Sequence, residues 1–302
     1  MKKHAYLIVA NSNFKVVESC LRMIDDPRND VYLLMDKKTH VSDEQRDRLL
    51  HSVVHSGIAF CEEIVNWAGY SQIRAALSLM RLALESGEEY SYLHFMQGSD
   101  LPIKTQDEIH RYFSENEGFE FVSIERARTG MAENKAQYRH FFCHNRYFRK
   151  SKFVKAMNFG AVKLQKVLGI RKNKDIELYQ GSALFSITGV CARFVLSKEV
   201  EIYRRFRYSL AADEVFLQSI LMASPYRERI KEVEKETSCN ARMIDRSRPD
   251  GKNSPHVWRL DELRFLLTLP PQYCFARKFD ERLDLGIVQA LLESIAGKEG
   301  EK

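Results

Sequence analysis

An acidic pair, Asp213-Glu214, stands directly before the apolar run Val215–Met222. Carboxylates there have two uses. Asp213 can be the N-cap of a helix, with Glu214 in its first turn complementing the dipole. Alternatively, a carboxylate whose pKa is raised by burial can take a proton from a hydroxyl. Asp36 closes the apolar run Val31–Met35, and Asp100 follows Gly98-Ser99 just after the run Tyr90–Met96. A hard divalent cation bridging a diphosphate wants more oxygen ligands than that single Asp100 carboxylate. The chain has no GxGxxG after a strand, no GxxxxGK[ST], no HExxH and no GxSxG, which removes the common nucleotide, metal and serine-nucleophile fingerprints. His94, His140, His144 and His256 stand alone in sequence and are read as structural or exposed.

Positioning such groups requires strands that end together. Ala5–Ala10 and Val31–Met35 are of strand length and bracket a helix-like stretch, Val16–Ile24, so the chain opens β-α-β. Each strand ends in polar residues, and in an open α/β sheet ligands bind beyond the carboxyl ends of the strands. Further strands are predicted at Ser52–Phe60, Tyr90–Met96, Phe119–Ile124 and Ala183–Thr188. Helices are predicted at Ser71–Ser86, Val190–Leu196, Val215–Met222 and Leu260–Leu269, and Thr105 with Glu108 forms a capping box. Strands alternating with helices indicate one α/β domain of Rossmann-like type.

Composition narrows the class. With 302 residues, 44% of them hydrophobic and 29% charged, the chain can bury a sizeable core, which excludes disordered, collagen-like and disulfide-scaffold proteins. No run of about 18 apolar residues exists to span a membrane. The apolar stretch Ala5–Ala10 is too short for the core of a signal peptide, so an unexported chain is expected. Six scattered cysteines without a CxxC pair suggest reduced thiols. Of the 47 Lys/Arg, eleven lie between Arg139 and Lys174, where there is no Asp or Glu, so the rest of the chain is net acidic. Aromatics interleave this segment, and Phe153, Val154, Met157, Leu164, Val167 and Leu168 are spaced as on an amphipathic helix. Such a segment suits an anionic membrane surface, a phosphorylated acceptor or nucleic acid; the bland alternative is a solvated connector with one helix packed on the core.

Several stretches together resemble one family. VYLLMDKK (Val31–Lys38), WAGYSQI (Trp67–Ile73), YLHFMQGSDLPIKT (Tyr92–Thr105), QGSA (Gln180–Ala183), DEVF (Asp213–Phe216) and FARKFD (Phe275–Asp280) occur in the order seen in the core-2/I-branching β-1,6-N-acetylglucosaminyltransferases. That family also contains peptide O-xylosyltransferases. The resemblance runs from about residue 4 to 285 and is weakest across the basic segment. It implies a GT-A-like fold and metal-independent, inverting transfer from a UDP-sugar to an acceptor hydroxyl, which needs one base and a stabiliser for the departing diphosphate.

By this resemblance Glu214 is the catalytic base, leaving Asp213 the cap. Lys278 is the cation that meets the diphosphate in place of a metal. Arg242 best matches a second cation, with Arg246, Arg248 and Lys252 as competitors. If its segment is extended, Arg277 points away from the face that Lys278 uses. Val9 and Asp36 match positions lining the uracil-ribose pocket, and Trp67 matches an aromatic that stacks on the base. Each has a bland reading: Val9 is core, Asp36 caps a turn, Trp67 packs, and Lys278 is a surface lysine at a strand edge. Asp100 is expected near the donor sugar or the acceptor, and Gln180, Gly181 and Ser182 beside the acceptor cleft.

The sequence therefore predicts an α/β, GT-A-like Rossmann-type domain over residues 1–290, with a mixed sheet, a basic helical insertion at 139–175 and a charged tail at 291–302. Its expected reaction is transfer of N-acetylglucosamine to a glycan hydroxyl, forming a β-1,6-type branch without a cofactor or metal. Transfer of xylose or another hexose, or non-catalytic carbohydrate or membrane binding on the same fold, are the alternatives. Without an N-terminal anchor, the layout resembles bacterial relatives working at the cytoplasmic face. There the basic segment would meet a lipid-linked acceptor or the membrane itself. Nucleic acid is not expected, because no RNA- or DNA-binding motif accompanies the charge.

Overall fold

The computed structural model describes residues 2–125, 129–145, 147–148, 150–231, 240–248, 250 and 254–300. The central sheet contains β1 (Lys3–Ala10), β2 (Asn29–Asp36), β3 (Gly57–Glu63), β4 (Tyr90–Gln97), β6 (Phe121–Val122) and β7 (Phe185–Thr188), in the order β3-β2-β1-β4-β7-β6. Strands β3, β2, β1 and β4 run parallel, while β7 is antiparallel to β4 and β6 antiparallel to β7, so the sheet is mixed as expected. Side-chain alternation along β1 decides the layers. Ala5 and Leu7 pack with Ile73, Ala76 and Leu77 of the helix Ser71–Leu84. Tyr6, Ile8 and Ala10 pack on the opposite face with Val17 and Leu21 of the helix Phe14–Met23. All of β2 is buried, the signature of a parallel strand covered on both faces.

A second sheet, β5 (Asp100–Pro102), β9 (Phe275–Arg277) and β8 (Arg242–Ile244), runs in the order β5-β9-β8. It is joined to the first by the turn Gly98-Ser99. A Cβ on Gly98 would come within 2.7 Å of the Ala10 Cβ, so only glycine lets this turn pass against β1. The Thr105 capping box forms as predicted: Glu108 N–H donates to Thr105 Oγ1 (3.2 Å), and Thr105 N–H donates to Glu108 Oε2 (2.8 Å).

Three expectations are corrected. The strand predicted at Ser52–Phe60 begins only at Gly57, because the Asp25 carboxylate takes the N–H groups of Val54, His55 and Ser56 and holds them in a turn. The strand at Phe119–Ile124 shrinks to Phe121–Val122. The charged tail at 291–302 is instead, through residue 300, part of the helix Gly286–Gly300, whose Ile287, Val288, Leu291 and Ile295 are buried. The basic segment contains the helix Lys152–Val167, capped by Ser151. Cys20, Cys61, Cys143, Cys191 and Cys274 form no disulfide; Cys239 lies outside the described residues. Among the described residues, no helix is long and apolar enough to cross a membrane.

Candidate active site

Strands β1, β2 and β4 end at one edge, and the segments that follow them line a cleft of about 490 Å³. Val9, Asp36 and Trp67 all line it. The bland reading of Asp36 holds at the same time. Its Oδ1 accepts the N–H groups of Lys38 (3.1 Å) and Val65 (3.3 Å), and Oδ2 pairs with Lys38 Nζ at 2.9 Å. These contacts fix the carboxylate at the cleft wall. Trp67 is half exposed and stacks nearly parallel to Phe148 of the basic segment, with centroids 6.5 Å apart.

The same cleft is lined by three cations, Arg277, Lys278 and Arg282. Lys278 lines the cleft, and its Nζ lies 3.4 Å from Ser254 Oγ. Arg277 is on the cleft too, contrary to the alternation argument. Strand β9 ends at Arg277, so the two-residue period does not extend to Lys278. Asp100 is the reason Arg277 is fixed there. Its buried carboxylate meets Arg277 Nη1 at 2.5 Å and accepts Gln97 N–H at 2.8 Å, while Gln97 Oε1 takes Arg277 Nη2 at 2.7 Å. Asp100 itself is absent from the cleft lining, so its place is behind a cation.

Arg242 is a correction. It is buried under the central sheet, donating to Ser186 Oγ (2.8 Å), Phe185 O (2.8 Å), Phe95 O (3.2 Å) and Asn240 O. Burial pulls its pKa down to about 10. Arg242 therefore ties β8 to β4 and β7 and does not reach the cleft. Among its competitors, Arg248 pairs with Asp245 and Glu262, Arg246 is exposed away from the cleft lining, and Lys252 lies outside the described residues.

The carboxylate pair departs from the capping expectation. Asp213 and Glu214 occupy a 3₁₀ turn, Ala212–Glu214, and the following helix starts after Val215 with no side-chain cap. Ala211 N–H donates to Ala68 O (2.9 Å), which ties the start of the turn to the Trp67 loop. Asp213 Oδ2 accepts from Gln72 Nε2 at 2.9 Å, while its buried Oδ1 has no partner. Burial, with the neighbouring charge of Glu214, pushes the Asp213 pKa well above the ordinary carboxyl range. Glu214 is ion-paired with Lys135 and accepts from Gln180 Nε2 at 3.2 Å, and about a third of its side chain is exposed.

Gln180 and Gly181 are bonded to Glu214, with Ser182 next in the same segment. Gly181 N–H donates to Glu214 O (2.9 Å), and a Cβ there would fall 1.7 Å from Ser123 O. Gln218 Nε2 donates to Ser182 O at 2.7 Å, holding the segment against the helix after Glu214.

Sequence reasoning passed over three contributors. Gln72 lines the cleft and also holds Asp213, so it joins the two halves of the site. It stood in the quoted WAGYSQI stretch without a role. Lys135 carried no motif, and Arg277 was assigned to the wrong face. Among the described residues, no three His, Cys, Asp or Glu side chains cluster as a metal centre. His94 is buried in a hydrogen-bonded row, Nδ1 to Ser186 Oγ (2.8 Å) and Nε2 to His4 Nδ1 (3.0 Å), away from the cleft.

The profile of a family described as Core-2/I-Branching enzyme matches residues 4–260. The chain is 22% identical over 302 residues to "Xylosyltransferase sqv-6" of Caenorhabditis briggsae, covering 95% of this chain and 36% of that protein. It is 26% identical over 208 residues to the human "Beta-1,3-galactosyl-O-glycosyl-glycoprotein beta-1,6-N-acetylglucosaminyltransferase", covering 65% and 42%. It therefore spans less than half the length of either relative. Among solved structures, mouse xyloside xylosyltransferase 1 in its apo form aligns with a TM-score of 0.41 and 11% identity over 91% of this chain and 97% of that chain. Core-mannan synthase A of Aspergillus fumigatus, in a Mn/GDP form, aligns at 0.37 and 8% over 74% and 70%. The family match covers most of the mixed α/β domain, including Val9, Asp36 and Trp67 of the cleft and the carboxylate turn, and on it the chain belongs to the Core-2/I-Branching enzyme family of glycosyltransferases.

Proposed function

We propose that this chain moves N-acetylglucosamine from a UDP-sugar to a glycan hydroxyl, free or lipid-linked, with inversion, without a metal, and with a β-1,6-type linkage. The observation that carries the reading is one cleft lined by cations and, joined to it through Gln72, a paired carboxylate turn. In this arrangement Val9, Asp36 and Trp67 take the uridine, while Lys278 and Arg277 face the diphosphate. Arg277 replaces Arg242 as the second cation. Glu214 takes the acceptor proton as the acceptor oxygen attacks C1 from the face opposite UDP. The C1–O bond to UDP then breaks, and its electron pair leaves on a diphosphate whose charge Lys278 and Arg277 meet. Burial favours the proton on Asp213.

Metal independence is supported by where Asp100 is spent. Asp100, the carboxylate that follows β4 where such a cation would be sought, already holds the guanidinium of Arg277. For the donor sugar, N-acetylglucosamine accords with the human relative's name, and xylose, the alternative, with the sqv-6 relative's. The test is UDP release from UDP-N-acetylglucosamine and UDP-xylose in EDTA. Turnover that survives chelation and prefers the first donor is expected; loss on chelation overturns the metal-free mechanism, and preference for UDP-xylose overturns the donor.

A further inference from the structure

The helix Lys152–Val167 is packed inside out. The side chains it buries are mostly polar: Asn158 and Gln165, with Val162 beside them. Asn158 Nδ2 meets His140 Nδ1 at 2.9 Å, and Gln165 bonds both the N–H and the C=O of Arg139, each at 2.9 Å. Inward polar groups that are this fully paired fix the helix's rotation. Val154 packs against Ala68, Cys143 and Phe148, but an apolar stripe at helical spacing faces solvent: Phe153 (73% exposed), Met157, Leu164 (59%), Val167 (77%) and, at the helix end, Leu168 (60%). The expected core-packed connector would have shown the reverse.

From this we infer that the stripe is a docking face for an anionic lipid bilayer surface, on which the helix lies in the interface plane. Charge selects the occupant. Lys152 and Lys163 are exposed on the same helix, and residues 139–174 contain no Asp or Glu. A second copy set stripe to stripe would bring lysines against lysines. An anionic headgroup layer instead receives the apolar side chains between headgroups and the lysines at the phosphates. Docking of this kind stands whether or not the donor is a UDP-sugar, since none of these residues lines the cleft.

The full chain is sedimented with phosphatidylcholine vesicles, with and without phosphatidylglycerol, in about 0.1 M and about 1 M salt, where the Debye length is about 10 and about 3 Å. Wild type is expected to bind the phosphatidylglycerol vesicles in the lower salt and weakly elsewhere. The double substitution Leu164→Glu/Val167→Glu is expected to lower partitioning by more than about tenfold, because it removes the inserted apolar surface and adds like charge to the lipid. Val200→Glu, at an 83% exposed apolar site outside the segment, is expected to leave partitioning unchanged. Phe153→Trp supplies a reporter that keeps the stripe intact, and its emission is expected to shift to the blue on phosphatidylglycerol vesicles only. The inference is overturned if wild type does not bind those vesicles, if the double variant binds as wild type does, if the reporter does not shift, or if sedimentation velocity without lipid shows a dimer that the double variant abolishes.

Discussion

Adjacent in sequence, Asp213 and Glu214 have opposite surroundings, and that separates their behaviour. Glu214→Gln keeps the shape and the Gln180 contact but cannot take a proton; UDP affinity by calorimetry is expected to match wild type while turnover falls by about 10²–10⁴-fold. Near-wild-type turnover would remove Glu214 from the base role. Asp213 is a stability matter. Its folded pKa is raised by burial and by Glu214, so the folded state binds its proton more tightly than the unfolded chain does. Stability is therefore lost as pH rises from the ordinary carboxyl value, about 3.9, through the raised folded value, and levels off above it. Asp213→Asn removes this slope: its melting temperature is expected to exceed that of wild type at neutral pH, with the gap closing as the pH falls toward 4. A constant gap would show that the proton is not the cause. The two arginines separate in the same way. Lys278→Ala and Arg277→Ala are expected to weaken UDP binding by about ten- to hundredfold, the worth of a charge-assisted contact. Arg242→Met strands the carbonyls of Phe95 and Phe185 and is expected to cost about 2–4 kcal/mol in denaturant unfolding while the folded protein binds UDP as before.

At the scale of elements, what local pattern determines was legible and what distant contacts determine was not. Strands β1, β2 and β4 and the Thr105 capping box were readable because apolar runs and short-range hydrogen bonds specify them within a few residues. The start of β3 was not, since it is set by Asp25, about thirty residues away in sequence. The turn at Asp213-Glu214 reads locally as a capped helix start. Its tie to Ala68, from the loop before the helix Ser71–Leu84, is a distant contact that this local pattern does not encode. Arg242 and Arg277 look alike in sequence, and their roles are exchanged by burial that no spacing encodes. Val9, Asp36, Trp67 and Lys278 were singled out only because motifs were compared as a set, and the structure brings these four to one cleft. Gly181 shows how tightly one element constrains another. Gly181→Ala would place a methyl group in the Ser123 carbonyl, a backbone atom that cannot rotate away. The expected cost is about 1–3 kcal/mol, with turnover reduced further because the displaced segment also carries the N–H donated to Glu214 O.

At the scale of the whole molecule, the family match stops at residue 260, yet the fold does not. Strand β9 is the middle strand of the second sheet, with Arg277 its last residue and Lys278 directly after it, so the cleft's cations come from the last part of the chain. The helix Gly286–Gly300 holds that part in place. Its Ile287, Val288, Leu291 and Ile295 enter the same apolar layer as Val17, Leu21 and Phe275, which joins β9 to the first β-α-β unit. Four buried aliphatic side chains at about 1.5–3 kcal/mol each amount to about 6–12 kcal/mol, as large as the whole stability of an ordinary domain, about 5–15 kcal/mol. Ending the chain after Leu285 is therefore expected to abolish cooperative unfolding and UDP binding together, although the whole family-matched region is intact. Ending it after Gly297 keeps all four side chains and is expected to leave the melting temperature within about a degree or two of wild type, as surface changes do. Equal stability of the two truncations would mean that the apolar layer beneath β9 closes without this helix. The cations of the cleft would then owe their position to the second sheet alone.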